Sequence, residues 1–208
     1  LSQVFSVLRG CIILSHYYTK DNDRLDSDKR PVHFVVKGHQ FTLNTDKGVF
    51  SKSGLDFGSR VLLESIETKV QDSVLDLGCG YGPIGIVIKK IYGSKVTMVD
   101  INDRAVKLSI ENGKLNFVTV SVLQSDGFSA VVGKFDWIIT NPPIRAGKQV
   151  IYGWFEQAKS FLNDSGRLII VINKNQGAPS ALTFLQSIYS QVDVVMKKSG
   201  YHVISCQK

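Results

Sequence analysis

Cysteine is scarce in this chain. Among 208 residues there are three, Cys11, Cys79 and Cys206, odd in number and far apart. That usage gives no disulfide framework and no zinc-ligand spacing, and it suits a reducing compartment such as the cytoplasm. The thiols read as buried or incidental, and no metal is expected. Long hydrophobic runs are missing as well. No apolar stretch reaches the roughly 20 residues that span a bilayer, so no membrane partner is expected. Val4 to Leu14 is apolar but short, Arg9 interrupts it, and no small-residue cleavage site follows, which argues against a signal peptide. There is no internal repeat and no low-complexity segment.

What remains is an ordinary globular composition. The hydrophobic fraction is 43%, and the length fits one α/β domain with a small N-terminal extension. A net charge of +7 and a pI near 9.3 favour an anionic partner such as RNA.

Residues 20–30 form a charged stretch that reads as a solvated loop. His33 to Val36, a Lys37-Gly38 turn and Gln40 to Leu43 predict a hairpin. Ser59 to Ile66 predicts a helix. From Ser73 onward, strands and helices alternate. Strand 95–99 precedes a helix from Asp103 to about Glu111, closed by Asn112-Gly113. Strand 117–122 precedes a Ser125-Asp126-Gly127 loop, and strand 137–140 ends at Asn141. Helix 150–161, strand 167–172, helix 180–189 and strands 193–196 and 202–206 complete the chain. The last two strands are joined by too few residues for a crossover helix, so they must be antiparallel. The pattern predicts a doubly wound, mostly parallel seven-stranded sheet with an antiparallel last strand, a Rossmann-like architecture with ligands at the strand carboxyl ends, plus a small N-terminal hairpin extension. Expected boundaries are a non-native leader at 1–14, an extension at 15–70 and the main domain at 71–208.

Two segments carry the chemistry. Asp76-Leu77-Gly78-Cys79-Gly80-Tyr81-Gly82-Pro83 lies between an apolar strand at Ser73 to Leu75 and an apolar helix at Ile84 to Tyr92. The glycines permit positive φ and let a ligand approach the backbone, while the helix N-terminus offers free N–H groups. Gly80 to Gly85 also fits the dinucleotide pattern G-x-G-x-x-G, with Asp100 about twenty residues on. Asp76 argues otherwise, because a carboxylate there suits a ligand bearing an ammonium and a sulfonium better than a pyrophosphate. The second segment, Asn141-Pro142-Pro143-Ile144, has no obvious role in hydride transfer.

Asp76 to Pro83, Asp100 and Asn141 to Ile144 resemble the motifs of class I S-adenosylmethionine-dependent methyltransferases. His16-Tyr17-Tyr18, Gly48 to Ser51, Asp56 to Ser59 and Asn141 to Lys148 (NPPIRAGK) resemble the small methyltransferase domain of the ribosomal small-subunit methyltransferase C family. The resemblance runs from about Ser15 to the C-terminus. It implies the methyltransferase fold, S-adenosylmethionine as cofactor, and guanine N2 of 16S ribosomal RNA or the small ribosomal subunit as target. Asp76, Gly78, Gly80 and Gly82 would hold the cofactor. Asp100, with Ile101 beside it, would accept the ribose hydroxyls. Asp126 would accept the adenine amino group, with Gly127 and Phe128 lining the base. Phe50 and Asp56 with Gly58 would close over the cofactor.

Asn141 is the catalytic candidate. Its side-chain carbonyl and the Pro142 backbone carbonyl can accept the two N–H bonds of an exocyclic amine, aiming the nitrogen lone pair at a methyl donor. Pro143 stiffens the loop. Ile144 stands where many amine methylases carry an aromatic that stacks the target base, so only apolar contact is available there. Arg145 and Lys148 would hold RNA or the target nucleotide. Longer family members carry a further N-terminal domain. With room in these 208 residues for the catalytic half alone, docking is expected to use a homodimer, the hairpin at 33–44 or nothing beyond the active-site rim. Three alternatives stand beside this reading: a methyltransferase of protein glutamine or DNA adenine, a nicotinamide-dependent oxidoreductase, and a non-catalytic RNA-binding module. The mass of the endogenous protein tests the leader: Leu14 is expected to mark the native start, and a mass that includes residues 1–14 contradicts this.

Overall fold

The computed structural model describes residues 26–49 and 54–208. Expectations that fall on residues 1–14, His16-Tyr17-Tyr18, Phe50 and Ser51 lie outside the described residues.

Among the described residues the first element is a hairpin of β1 (Arg30–Val36) and β2 (His39–Thr45), paired antiparallel. Lys37 and Gly38 have φ of 46° and 80°, the left-handed pair that matches the twist of the flanking strands. Alternation buries Val32, Phe34, Val36, Phe41 and Leu43 on one face. That face shares a core with Ile84, Ile86 and Ile88, so the hairpin is held by the main sheet's own helices. Helix α1 (Phe57–Ser65) begins at Asp56, whose side chain accepts from the Ser59 N–H at 3.1 Å.

The main sheet and its helices follow as β3 (Ser73–Leu77), α2 (Pro83–Tyr92), β4 (Lys95–Asp100), α3 (Asp103–Leu115), β5 (Ser121–Gln124), β6 (Phe135–Thr140), α4 (Lys148–Phe161), β7 (Leu162–Asn173), α5 (Ala178–Ile188), β8 (Gln191–Lys198) and β9 (Tyr201–Gln207). Strand order is β5-β4-β3-β6-β7-β9-β8. The pairs from β5 through β7 are parallel. β9 is inserted antiparallel between β7 and β8, through a tight turn at Ser199 and Gly200 with φ of 48° and 83°. The expected sheet and hairpin are therefore present. The chain order reverses between β3 and β6, which opens a crevice at their carboxyl ends. One apolar layer joins α1, α2, α3 and the hairpin, and the other joins α4 and α5 across the sheet.

Several boundaries differ from expectation: β7 begins at Leu162 rather than Arg167, β8 extends over 191–198 rather than 193–196, and two further differences have a clear physical cause. Helix α3 does not close at Asn112-Gly113 but runs through both to Leu115. Asn112 is fully buried, and its amide accepts from Asn44 N–H at 2.7 Å and donates to the carbonyls of Asn44 and Tyr81 at 2.8 and 2.9 Å. A Cβ on Gly113 would stand 3.0 Å from Val120 Cγ2. Tertiary contacts thus keep two poor helix formers helical. β5 begins at Ser121 rather than at Phe117, because the Phe117 and Val118 N–H groups bond back to the carbonyls of Lys114 and Gly113. Among the described residues no helix is long and apolar enough to cross a membrane.

Asn112 pins the hairpin to the glycine loop through three hydrogen bonds. Its replacement by alanine leaves buried backbone groups unpaired, so Asn112→Ala is expected to cost about 3 kcal/mol in urea denaturation. A loss below about 0.5 kcal/mol, the level of an ordinary surface change, contradicts this role.

Candidate active site

The crevice holds a cavity of about 430 Å³, within the size range of small-molecule sites. Its glycine loop is tied down from several sides. The Gly78 and Cys79 N–H groups both donate to Val99 O at 2.9 Å, and Gly82 N–H donates to Cys79 O at 3.0 Å. Gly80 N–H donates to Asp100 Oδ2 at 2.8 Å, while Asn102 N–H donates to Asp100 Oδ1 at 2.9 Å. Ser109 Oγ donates to Gly80 O at 2.9 Å. Gly80 has φ of 59° and lines the cavity, yet a Cβ there would meet no protein atom within 4 Å. Packing does not demand glycine at 80; the backbone conformation and the free cavity space do.

Gly78 and Gly127 are constrained differently. A Cβ on Gly78 would approach the Trp154 ring at 3.3 Å, and one on Gly127 would stand 2.7 Å from Trp154 Nε1. The indole, on α4, lies between two cavity loops and forms part of the wall. Asp100 and Ile101 line the cavity as expected. Burial pushes the Asp100 carboxyl up, against backbone hydrogen bonds from Asn102, Gly80 and Ile101 that pull it down.

Five expected site residues stand elsewhere, among them Phe128, which is buried in the core with its ring stacked on Phe161 at 4.7 Å rather than lining the cavity. Asp76 is not on the wall. Strand alternation turns it under α2, where Oδ2 accepts from Gly85 N–H at 2.9 Å and Oδ1 has no partner among the described residues. Gly82, with φ of 90°, lies off the wall against α3, and a Cβ there would meet Ile86 Cδ1 at 2.9 Å and Ser109 Oγ at 3.0 Å. Asp126 is exposed, and only its neighbours Ser125 and Gly127 line the cavity. Lys148 is exposed with its ammonium 4.9 Å from the Tyr152 ring centroid, away from the wall. Phe50 lies outside the described residues.

The second segment does reach the cavity. Thr140 Oγ1 donates to Leu77 O at 2.8 Å and ties the end of β6 to the end of β3. Asn141, Pro142, Pro143, Ile144 and Arg145 follow on the wall. The Asn141 amide nitrogen donates to Asp56 Oδ1 at 3.0 Å and to Ser59 Oγ at 3.1 Å. A carboxylate only accepts, so the amide must turn its NH₂ end to Asp56. The carbonyl oxygen, bonded by no described residue, is left for the cavity. Sequence reasoning missed Trp154, Gln176 and Tyr201 on the wall. Nothing local marks them, because each reaches the site from an element distant in the chain.

A glycine loop with the Asp100 carboxylate beside it, and Asn141 to Arg145 on the wall of the same cavity, fit a nucleoside ligand. Fold and site together define a class I methyltransferase. The chain belongs to the methyltransferase small domain family, which matches residues 40–205. It is 44% identical over 200 residues to the uncharacterized protein YbxB of Bacillus subtilis (strain 168), covering 94% of this chain and 100% of that one. It is 37% identical over 169 residues to ribosomal RNA small subunit methyltransferase C of Haemophilus influenzae (strain PittGG), covering 79% of this chain and 50% of that protein. The fold also matches that of the T. thermophilus 16S rRNA N2 G1207 methyltransferase (RsmC) in complex with AdoMet and guanosine, with a TM-score of 0.79, 25% identity, and coverage of 86% of this chain and 50% of that one. The chain thus spans YbxB entirely but only about half the length of these two ribosomal RNA methyltransferases. S-adenosylmethionine is the cofactor of this family and fits the cavity described, and the dinucleotide reading of Gly80 to Gly85 falls.

Burial raises the Asp76 carboxyl to about 7, with the Gly85 N–H opposing and Asp100 adding to the rise. An unfolded aspartate titrates near 4, so between about pH 4 and 7 the folded state holds a proton that the unfolded chain lacks. The stability from that proton is full below the unfolded value and is lost as pH rises through about 7. Asp76→Asn is expected to flatten this dependence, with the variant standing highest relative to wild type near pH 8. Urea denaturation near pH 5 and pH 8 checks it, and an unchanged pH slope contradicts it.

Proposed function

We propose that the chain transfers a methyl group from S-adenosylmethionine to guanine N2 of small-subunit ribosomal RNA. The observation that carries this reading is the fixed direction of the Asn141 amide, held by Asp56 and Ser59 at 3.0 and 3.1 Å with its carbonyl left to the cavity. When bound, S-adenosylmethionine supplies a methyl group already activated on a sulfonium, so the protein's work is placement.

Asn141 Oδ1 and the Pro142 carbonyl accept hydrogen bonds from the two amine N–H groups, and the proton the nitrogen sheds once methylated passes to solvent. The two carbonyls pull an amine nitrogen out of conjugation with its ring and aim its lone pair. Asp100, Gly78, Gly80, Ile101 and Gly127 cradle the cofactor, and Asp100 does so through a carboxylate already oriented by two backbone N–H groups. Pro143 and Ile144 provide the apolar edge of the target site. Arg145, exposed at the cavity, meets the nucleotide or its phosphate. Lys148, one turn away over Tyr152, serves the RNA backbone outside the cavity rather than the target base. The net charge of +7 suits a polyanion. The guanosine named with the T. thermophilus neighbour supports the base assignment.

Asn141→Ala is expected to lower the methyl-transfer rate about 100-fold or more with little change in S-adenosylmethionine affinity. Asp100→Ala is expected to do the reverse, weakening cofactor binding first. Calorimetric titration with S-adenosylmethionine and label transfer to small-subunit ribosomal RNA measure both. Comparable loss of cofactor affinity in Asn141→Ala would contradict its role as the amine-orienting group.

A further inference from the structure

The active-site wall holds an acceptor that cofactor binding and amine orientation leave unused. Asp56 Oδ1 takes the Ser59 N–H at 3.1 Å and the Asn141 amide at 3.0 Å. No described residue donates to Oδ2, and Asp56 lines the cavity together with Asn141 and Tyr201. The Tyr201 ring lies against position 58: a Cβ on Gly58 would stand 2.9 Å from Tyr201 Cε1 and 3.1 Å from Asp56 Oδ1. Glycine at 58 therefore lets an aromatic ring and a carboxylate crowd the same corner. Phe57 props the ring from α1, with centroids 5.6 Å apart and a tilt of 52°. The aromatic that position 144 lacks is thus supplied at the reaction corner by the start of β9.

We propose that Asp56 and Tyr201 form the purine subsite of this cavity, and that Asp56 Oδ2 selects guanine by accepting its N1–H. The proposal rests on the guanine-N2 reading above. On the guanine ring, N1–H is the donor next to the 2-amino group. With the amine hydrogens directed to Asn141 and Pro142, N1–H is the next group on that edge to meet the wall. Adenine and 2-aminopurine present a bare lone pair at N1, which a carboxylate repels. A site built to accept a hydrogen bond rejects a ring that lacks the donor, because its acceptor is left unpaired. Tyr201 offers a stacking face that is indifferent to the hydrogen-bonding pattern of the base. The two residues therefore have separable signatures, selectivity for Asp56 and strength for Tyr201.

The test is a titration of the full chain, loaded with S-adenosylhomocysteine, with guanosine and with 2-aminopurine riboside, followed by NMR. The second probe keeps the 2-amino group but lacks N1–H. Wild type is expected to bind guanosine about tenfold or more tighter. Asp56→Asn retains an oxygen for Ser59 and Asn141 and remains a good helix cap, but it places an amide NH₂ where Oδ2 stood. It is expected to lose or reverse the preference while its melting temperature and S-adenosylhomocysteine affinity stay at wild-type levels. Tyr201→Leu is expected to weaken both ribosides by a similar factor and keep their ratio. An Asp56→Asn variant that keeps the guanosine preference, beside a wild type that labels guanine N2 in small-subunit RNA, overturns this proposal alone. A wild type with no preference overturns it whatever the variants do, and if small-subunit RNA also stays unlabelled the guanine reading falls with it.

Discussion

Asp56 accepts hydrogen bonds and does not donate them, and the rest of the site depends on that. Its Oδ1 caps α1 through Ser59 N–H and holds the NH₂ end of Asn141. One carboxylate so fixes where a helix begins and which end of the Asn141 amide meets the cavity. Without it the Asn141 side chain has two nearly isosteric orientations, one turning its carbonyl to the cavity and the other its NH₂. The link spans 85 positions of sequence, from the lead-in helix to the loop after β6, so the N-terminal segment is part of the active site.

The glycine loop is organised on the same plan, with its shape fixed from outside. Asp100 bonds Gly80 and Asn102 through their backbone N–H groups. Asn112 bonds Tyr81 from α3 and the hairpin from its other side. Trp154 closes over Gly78 and Gly127 from the opposite face of the sheet. A loop held in this way needs little reordering when a ligand binds, so less of the binding energy is lost to entropy. Buried Asp76 is the costly component. It sits behind the loop with an unpaired oxygen, and burial keeps its proton on up to about pH 7.

The sequence was most legible where local chemistry decides. Lys37-Gly38 dictated the hairpin, the βα alternation from Ser73 dictated the sheet, and the short link before β9 dictated its antiparallel insertion. The Asn141 segment, Asp100 and the loop glycines fell at strand ends, where such a fold puts its ligands. It was least legible where tertiary packing overrode local preference. Asn112 and Gly113 look like a helix terminator and are a buried tether. Asp76 sits beside the glycines in sequence, yet strand alternation turns it away from the cavity. Gly82 matches the glycine pattern but serves contact with α3. Trp154 and Tyr201 could not be read at all, because only the folded sheet carries them to the same crevice.

The most direct test of the account is nucleoside mass spectrometry of small-subunit ribosomal RNA from cells lacking this protein, from wild type, and from the deletion strain complemented with Asn141→Ala. The account predicts that N2-methylguanosine falls at one position in the deletion strain, returns with the wild-type chain and does not return with Asn141→Ala. Unchanged N2-methylguanosine in all three strains, or loss of a different methylated nucleoside, would contradict it.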